Sequence, residues 1–318
     1  MTVGSRPLVP SRLAPDGLTH HGHGARSASS TVGAYLALTK PRIIELLLIT
    51  TVPPMVLAEQ GWPSTWLVLI TVIGGTLAAG GANAINMVVD RDIDRLMPRT
   101  QSRPLVTGAI GPGPALAFAV ALEILAFAVL WFGANLLSAV LALSAAAFYV
   151  GVYTLWLKRT SRQNIVIGGA AGAVPVLVGW AAVNDSIAWT PIVLFVTMFL
   201  WTPPHFWALA IRYRDEYRTA GVPMLPTVVP LAHAARHMAA YTVALVASTL
   251  LLVPVASLTW IYTAFAIVLG VVFLGFTLAL VRRPTATMSM RVFTFSITYV
   301  TLLFGAIVVD VLLEHGVS

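Results

Sequence analysis

TWLVLITVIGGTLAAGGANAINMVVDRDIDRLMPRTQSRPL, residues 65–105, decides how this chain folds. From Thr65 to Val88 it carries no charge, and about 20 apolar residues are enough for a helix to cross a bilayer. At Asp90 the character switches, and three acids and four arginines follow before residue 104. The stretch therefore reads as a membrane-spanning helix that ends in a charged mouth.

The rest of the chain repeats the first half of that pattern. Of 318 residues 58% are hydrophobic and only 10% are Asp, Glu, Lys or Arg, so water cannot be the main solvent for the surface. Nine apolar runs are long enough to span, at about 43–60, 65–88, 114–132, 135–156, 164–183, 188–210, 237–257, 259–281 and 289–312. The expected fold is all-α: a polytopic membrane protein with nine transmembrane helices bundled around a central cavity that opens to the cytoplasm.

Charge placement tests the count independently, because Lys and Arg concentrate in cytoplasmic loops. All 19 basic residues fall in the N-terminal tail, at its junction with the first helix (Lys40, Arg42), or in alternate loops. Those loops hold Arg91 to Arg103, Lys158 to Arg162, Arg212 to Arg236 and Arg282 to Arg291. The intervening loops, near residues 60–64, 133–135, 184–186 and 256–259, hold none. A cell-membrane protein with its N-terminus in the cytoplasm and its C-terminus outside fits without exception. The net charge of +7 is then topology plus attraction to anionic lipid or substrate, not a nucleic-acid signal.

Residues 1–33 are rich in Ser, Gly, Pro and His and are expected to form a disordered cytoplasmic tail, whose HHGHG stretch (His20 to His23) reads as solvated. Residues 34–318 form one membrane-embedded domain. Cysteine is absent, which excludes disulfides and thiolate catalysis.

Asn86, Asp90 and Asp94 stand at i, i+4 and i+8, one face of a continuing helix, whereas Asp92 lies off it. Two carboxylates and an amide suit Mg²⁺, a hard ion that takes its remaining ligands from water and substrate phosphate. Arg103 is placed to meet phosphate oxygens. A second charged loop, RYRDEYRTAGVPMLP at 212–226, brings Arg212, Asp215, Glu216 and Tyr217 to the same membrane face. Two such poles can grip a diphosphate and draw charge off a leaving group, above an apolar cavity that shields a carbocation from water.

NMVVDRDID resembles the N-x-x-x-D-x-x-x-D motif of the UbiA superfamily of membrane-embedded prenyltransferases, in the right place after the second helix. LTKPRI (38–43), SRPL (102–105), QNIVIGGAAGAVPVLVGW (163–180), WTPPHFWALA (201–210) and AGVPMLP (220–226) are similar to its haem-farnesylating branch. The resemblance implies transfer of farnesyl from farnesyl diphosphate to a vinyl group of haem B, with addition of water, giving haem O and diphosphate. It implies Mg²⁺ as cofactor, with Asn86, Asp90 and Asp94 as ligands. Asp215 is the second-pole candidate, although Thr219 replaces the second acid that many members carry. Haem A synthase and a terminal oxidase are implied as partners by the family alone.

His205, inside a span and flanked by Trp201, Pro203, Pro204, Phe206 and Trp207, is the candidate for haem contact, with His233 and His237 weaker. Pro203 and Pro204 are expected to break that helix. Lys40 and Lys158 face the cavity as candidates for anion contact, and Asn164 is expected to orient a metal-bound group. Glu45, Glu123 and Asp310 lie in or near spans without an assigned role. Two rival readings remain: a prenyltransferase acting on a quinone precursor or other aromatic acceptor, and, more remotely, a secondary transporter.

Overall fold

The computed structural model describes residues 28–316, and the side chains of all of these except 28–30 and 42–48. A short helix, α1 (Ala28–Leu38), comes first, and each apolar run then becomes a helix: α2 (Arg42–Glu59), α3 (Thr65–Val89), α4 (Pro112–Gly133) and α5 (Leu136–Thr160). The chain continues through α6 (Asn164–Asn184), α7 (Trp189–Arg212), α8 (Leu231–Val255), α9 (Trp260–Arg282) and α10 (Ala286–His315). Among the described residues, the eight helices α3 to α10 are long and apolar enough to cross a membrane. The first expected span coincides with α2, an 18-residue helix carrying Arg42, Glu45 and Glu59.

The bundle meets lipid with large side chains and meets itself with small ones. Leu116, Val120, Ile124, Val268 and Val271 are exposed, a surface that only a hydrocarbon solvent tolerates. Inside, Ala78, Ala82, Ala115, Ala119, Ala139 and Ala173 are buried and let helix backbones approach closely, as packing inside a bilayer requires. Exposed Trp62, Trp66, Trp131, Trp189 and Trp260 all stand at helix ends opposite the basic loops, where indole sits comfortably at a membrane–water interface.

Three local expectations change. The helix carrying Pro203 and Pro204 does not break; α7 runs unbroken from Trp189 to Arg212. Among apolar neighbours, unwinding would strand more backbone groups than the two amides proline removes, and α7 is also tied laterally by Trp201 Nε1 donating to the Ser296 carbonyl at 2.8 Å. Helix α8 starts at Leu231, six residues before the apolar run predicts, because its first turns are amphipathic: Ala234 and Ala235 are buried while His233, Arg236 and His237 are exposed. Finally, α1 begins at Ala28, within the stretch assigned to the tail. It docks Leu38 against Ala84, Met87, Leu105 and Ala119, and Tyr35 meets Phe118 edge-on at 5.0 Å. The rest of the proposed tail lies outside the described residues.

Helix α5 departs from regular geometry where function is expected. Tyr149–Leu157 is π-helical, so the amide of Lys158 bonds the carbonyl of Tyr153, five residues back. The hydroxyl of Thr154 donates to the Tyr149 carbonyl at 2.9 Å. Such stretches are rare and gather at functional sites.

Candidate active site

A cavity of about 460 Å³ opens among α2, α3, α5, α6 and α7 at their basic ends. Its mouth is polar, lined by Lys40, Asn86, Asp94, Arg99, Arg103 and Lys158. Below the mouth stand Tyr149, Tyr153, Trp201 and Phe206, and deeper still the wall is mostly Ala and Gly. Its size suits a small-molecule site.

Helix α3 ends at Val89, and Asp90 takes φ −87°, ψ 5° before a single short turn, Arg91–Asp94. That near-helical link keeps Asn86, Asp90 and Asp94 roughly in line, with backbone bonds of 2.9 Å from Asp90 N to Asn86 O and from Asp94 N to Asp90 O. Asp90 is fully buried. Its Oδ2 pairs with Lys158 Nζ and accepts from Asn86 Nδ2 at 2.7 Å, while its Oδ1 is buried with no hydrogen-bond partner, Arg159 coming only to 3.8 Å. Asp94 lines the cavity and holds Arg103 at 2.6 Å. Asp92 points away, as its register predicts, and grips Arg159 through two bonds of 2.7 Å. Those bonds hold its carboxyl at about 2.

Lys40 completes the mouth from the α1–α2 junction. Its backbone is left-handed, φ 54°, an uncommon conformation for a non-glycine residue and one that concentrates at functional sites. Its Nζ donates to Asn86 Oδ1 at 2.9 Å. Burial first, then the charges of Arg103 and Lys158, lower its pKa from 10.5 to about 7. The residue keeps some surface facing the opening.

Not every expected residue joins this cluster. Asp215 does not: its side chain is 99% exposed and, among the described residues, pairs with Arg218 at 4.0 Å. The short helix Arg214–Thr219 turns Glu216 and Tyr217 inward in its place. Tyr217 lines the cavity and accepts from Arg99 at 2.8 Å; Arg99 also lies over the rings of Tyr213 and Tyr217 at 5.3 and 5.0 Å, with Glu216 at 3.6 Å. Arg212 is exposed. Asn164 is buried beside the cluster, donates to the Lys158 carbonyl at 3.4 Å and leaves its Oδ1 without a hydrogen-bond partner.

His205 is packed, not presented. Its Nδ1 is 2.7 Å from Ser296 Oγ, and its ring stacks between Trp201 at 4.2 Å and Phe293 at 4.7 Å. It does not line the cavity, although Trp201 and Phe206 do. Asp310 has a structural role: it accepts from the amides of Thr259 at 2.7 Å and Tyr262 at 3.0 Å, and so caps α9. Glu123 lies against α3 at Gly81, where an added Cβ would sit 2.6 Å from its Oε1. Glu45 is among the residues whose side chains are not described. Sequence reasoning missed Arg99, Thr154 and the stacked pair Tyr149 and Tyr153, 5.3 Å apart; only the four-residue spacing of the tyrosines hinted at a shared face.

The donor set at Asn86, Asp90 and Asp94 is all oxygen, and one buried carboxylate oxygen lacks a hydrogen-bond partner, so the residues fit a hard divalent ion. Among the described residues no group of three or more His, Asp and Glu forms a denser alternative. The second acidic pole is not assembled.

Comparison with known proteins follows the same lines. The model of the UbiA prenyltransferase family matches residues 47–302. The chain is 54% identical to protoheme IX farnesyltransferase 1 of Saccharopolyspora erythraea over 282 residues, 88% of this chain and 90% of that one. It is 50% identical to protoheme IX farnesyltransferase of Streptomyces avermitilis, covering 92% of this chain and 98% of the relative. A solved structure of digeranylgeranylglyceryl phosphate synthase superposes with TM-score 0.75 at 18% identity, over 88% of this chain and 98% of that one. A UbiA homologue from Archaeoglobus fulgidus bound to DMAPP and Mg²⁺ gives 0.60, also at 18%, over 86% and 99%. At that identity the structures speak for the fold alone.

Proposed function

Since this chain belongs to the UbiA prenyltransferase family, we propose that its cavity transfers the farnesyl group of farnesyl diphosphate to a vinyl group of haem B, with addition of water, giving haem O and diphosphate. The observation that carries the reading is a mouth of paired acids and cations set directly over an apolar cavity, in a chain half identical to protoheme IX farnesyltransferases.

The residues divide the work by depth. Lys40, Lys158 and Arg103 are the cations that receive the diphosphate; Lys158 and Arg103 also pair with Asp90 and Asp94. Asn86, Asp90 and Asp94 are the residues that would hold Mg²⁺, which when bound supplies Lewis-acid relief of charge on the leaving oxygen. The allylic carbon–oxygen bond breaks with its electron pair leaving on diphosphate. Tyr149 and Tyr153, stacked at the level just below the mouth, offer π faces to the allylic cation. The vinyl π pair then forms the new carbon–carbon bond, and water adds to the resulting cation with loss of a proton. The apolar lower cavity keeps water from the allylic cation before the vinyl group reaches it.

We place the basic loops and the N-terminus on the cytoplasmic face of the plasma membrane, because cytoplasmic loops retain Lys and Arg and Trp62, Trp66, Trp131, Trp189 and Trp260 lie at the opposite ends, with Trp156 at the basic one. The reaction is tested by incubating the purified protein with haem B, farnesyl diphosphate and Mg²⁺ and reading the products by chromatography and mass. A farnesylated, hydrated haem is the expected product. Release of diphosphate with unchanged haem would assign another acceptor.

A further inference from the structure

We propose that the deep end of the cavity, where Thr71 and Val178 close it below the open side of Gly172, measures the donor's isoprenoid tail and limits it to three isoprene units. The proposal rests on the prenyl-transfer reading and adds which residues set the chain length.

The cavity is a tube with two unlike ends. Asn86 at the mouth and Thr71 both line it, and their fifteen-residue separation along α3 corresponds to about 22 Å at the helical rise. On the facing helix, Ile165 and Val178 both line it as well, about 20 Å apart by the same measure. Between these limits the wall is built from residues such as Ala79, Ala82, Ala145 and Ala146. Side chains this short leave a bore wide enough for an extended hydrocarbon, although the polar side chains of Thr50, Thr51, Asn83 and Thr202 also line it.

The helices also pack tightly beside the deep end. A Cβ added at Gly179 would sit 2.2 Å from the carbonyl oxygen of Thr51, so α2 and α6 touch main chain to main chain one residue beyond Val178. Thr71 is fully buried and Val178 is 4% exposed. The Thr71 hydroxyl donates to the Leu67 carbonyl at 2.7 Å, so the floor offers an apolar tail no unsatisfied donor.

Gly172 shows where the bore has spare room. It lines the cavity, and no atom lies within 4 Å of the position its Cβ would take. It stands six residues above Val178, about 9 Å up the tube. A side chain there fills the lower tube without striking a neighbouring helix, whereas trimming Val178 deepens the floor.

The test compares wild type, Gly172→Leu and Val178→Ala with geranyl, farnesyl and geranylgeranyl diphosphates. Two readouts are taken: thermal stabilisation of the protein by each diphosphate with Mg²⁺ and no haem, and the mass of prenylated haem once haem B is added. A few methylene groups in an apolar pocket change selectivity by about tenfold or more. Gly172→Leu is expected to shift preference at least that far toward geranyl, and Val178→Ala to raise geranylgeranyl relative to farnesyl by a similar factor. Wild-type chain-length ratios in both variants would overturn the proposal; if Gly172→Leu does not fold, an unchanged ratio in Val178→Ala overturns it alone. If the binding ratios move while haem is never prenylated, the floor stands and the haem reading falls. If haem is prenylated and the ratios stay fixed, the floor falls and the haem reading stands.

Discussion

Arg103 Nη1 lies 2.6 Å from Asp94 Oδ2, across a loop of nine residues. The pair folds the end of the acidic motif back on itself, helped by Thr100, whose hydroxyl donates to the Asp94 carbonyl at 2.8 Å. Both charged groups face the cavity, so an anion and a cation entering together can exchange partners with them without exposing an unpaired charge to the apolar bore. Deeper in the same cluster, Asp90 and Lys158 make the corresponding pair, but with Asp90 wholly buried.

Asp94 is buried almost as deeply, at 3% exposure, but unlike Asp90 it lines the cavity beside a partly exposed Arg103, and that access separates two variants that look alike. Asp90→Asn leaves Lys158 without its partner in a buried setting, where breaking such a pair costs about 3–5 kcal/mol; both stability and transfer are expected to fall. Asp94→Asn is expected to reduce turnover by about a hundredfold or more, in the range for loss of one preorganised electrostatic group, with the unfolding temperature nearly unchanged. Parallel thermal unfolding and turnover assays in detergent check this. Equal unfolding temperatures for the two variants would contradict the difference in cavity access.

Lys40 predicts a proton uptake. Its pKa stands near 7, below the ordinary 10.5, so between about pH 7 and 10 the empty site binds fewer protons than a free lysine. A bound diphosphate favours the charged ammonium and draws that proton back. Binding should therefore take up close to one proton at pH 8, and affinity should weaken as pH rises from 7 to 9. Calorimetry of diphosphate binding in buffers of different ionisation enthalpy measures the uptake, which Lys40→Met should abolish.

Arg99 and Tyr217 join the two charged loops through a bond of 2.8 Å. Arg99→Ala and Tyr217→Phe are each expected to loosen the segment around 214–228, seen as faster proteolysis there. The double variant should add little to either single change, since residues sharing one contact are not additive. Fully additive effects would show that the two side chains act separately.

His205 is expected to matter for packing. Its removal breaks the 2.7 Å contact with Ser296 and two ring stacks, a loss of about 1–3 kcal/mol. His205→Ala should lower the unfolding temperature while haem B titrates to the same endpoint. A lost haem signal in a variant that remains folded would restore a direct contact.

Hydropathy and charge alternation placed most helix ends within a few residues, because bilayer thickness and basic loops leave few alternatives. That Asn86, Asp90 and Asp94 line up was legible for a similar reason: their spacing is a property of one local helix face. Asp215 was not, since its neighbour Glu216 occupies the inward direction and only tertiary placement chooses between adjacent acids. The place of His205 off the cavity wall was not legible, because being inside a span does not say which side of a helix faces a cavity. Arg99 was hidden among four arginines of the same loop, and its aromatic partners lie more than a hundred residues away.

The π-helical stretch Tyr149–Leu157 makes chain length itself a carrier of information. Each helical residue turns the chain by about 100°. Removing exposed Gly151, which has open space around it, would delete no cavity contact, yet an α-helix restored by that deletion could not aim both Tyr149 and Lys158 as they stand. Residues there can be exchanged for others of similar shape, but the number of residues between tyrosine and lysine cannot drift.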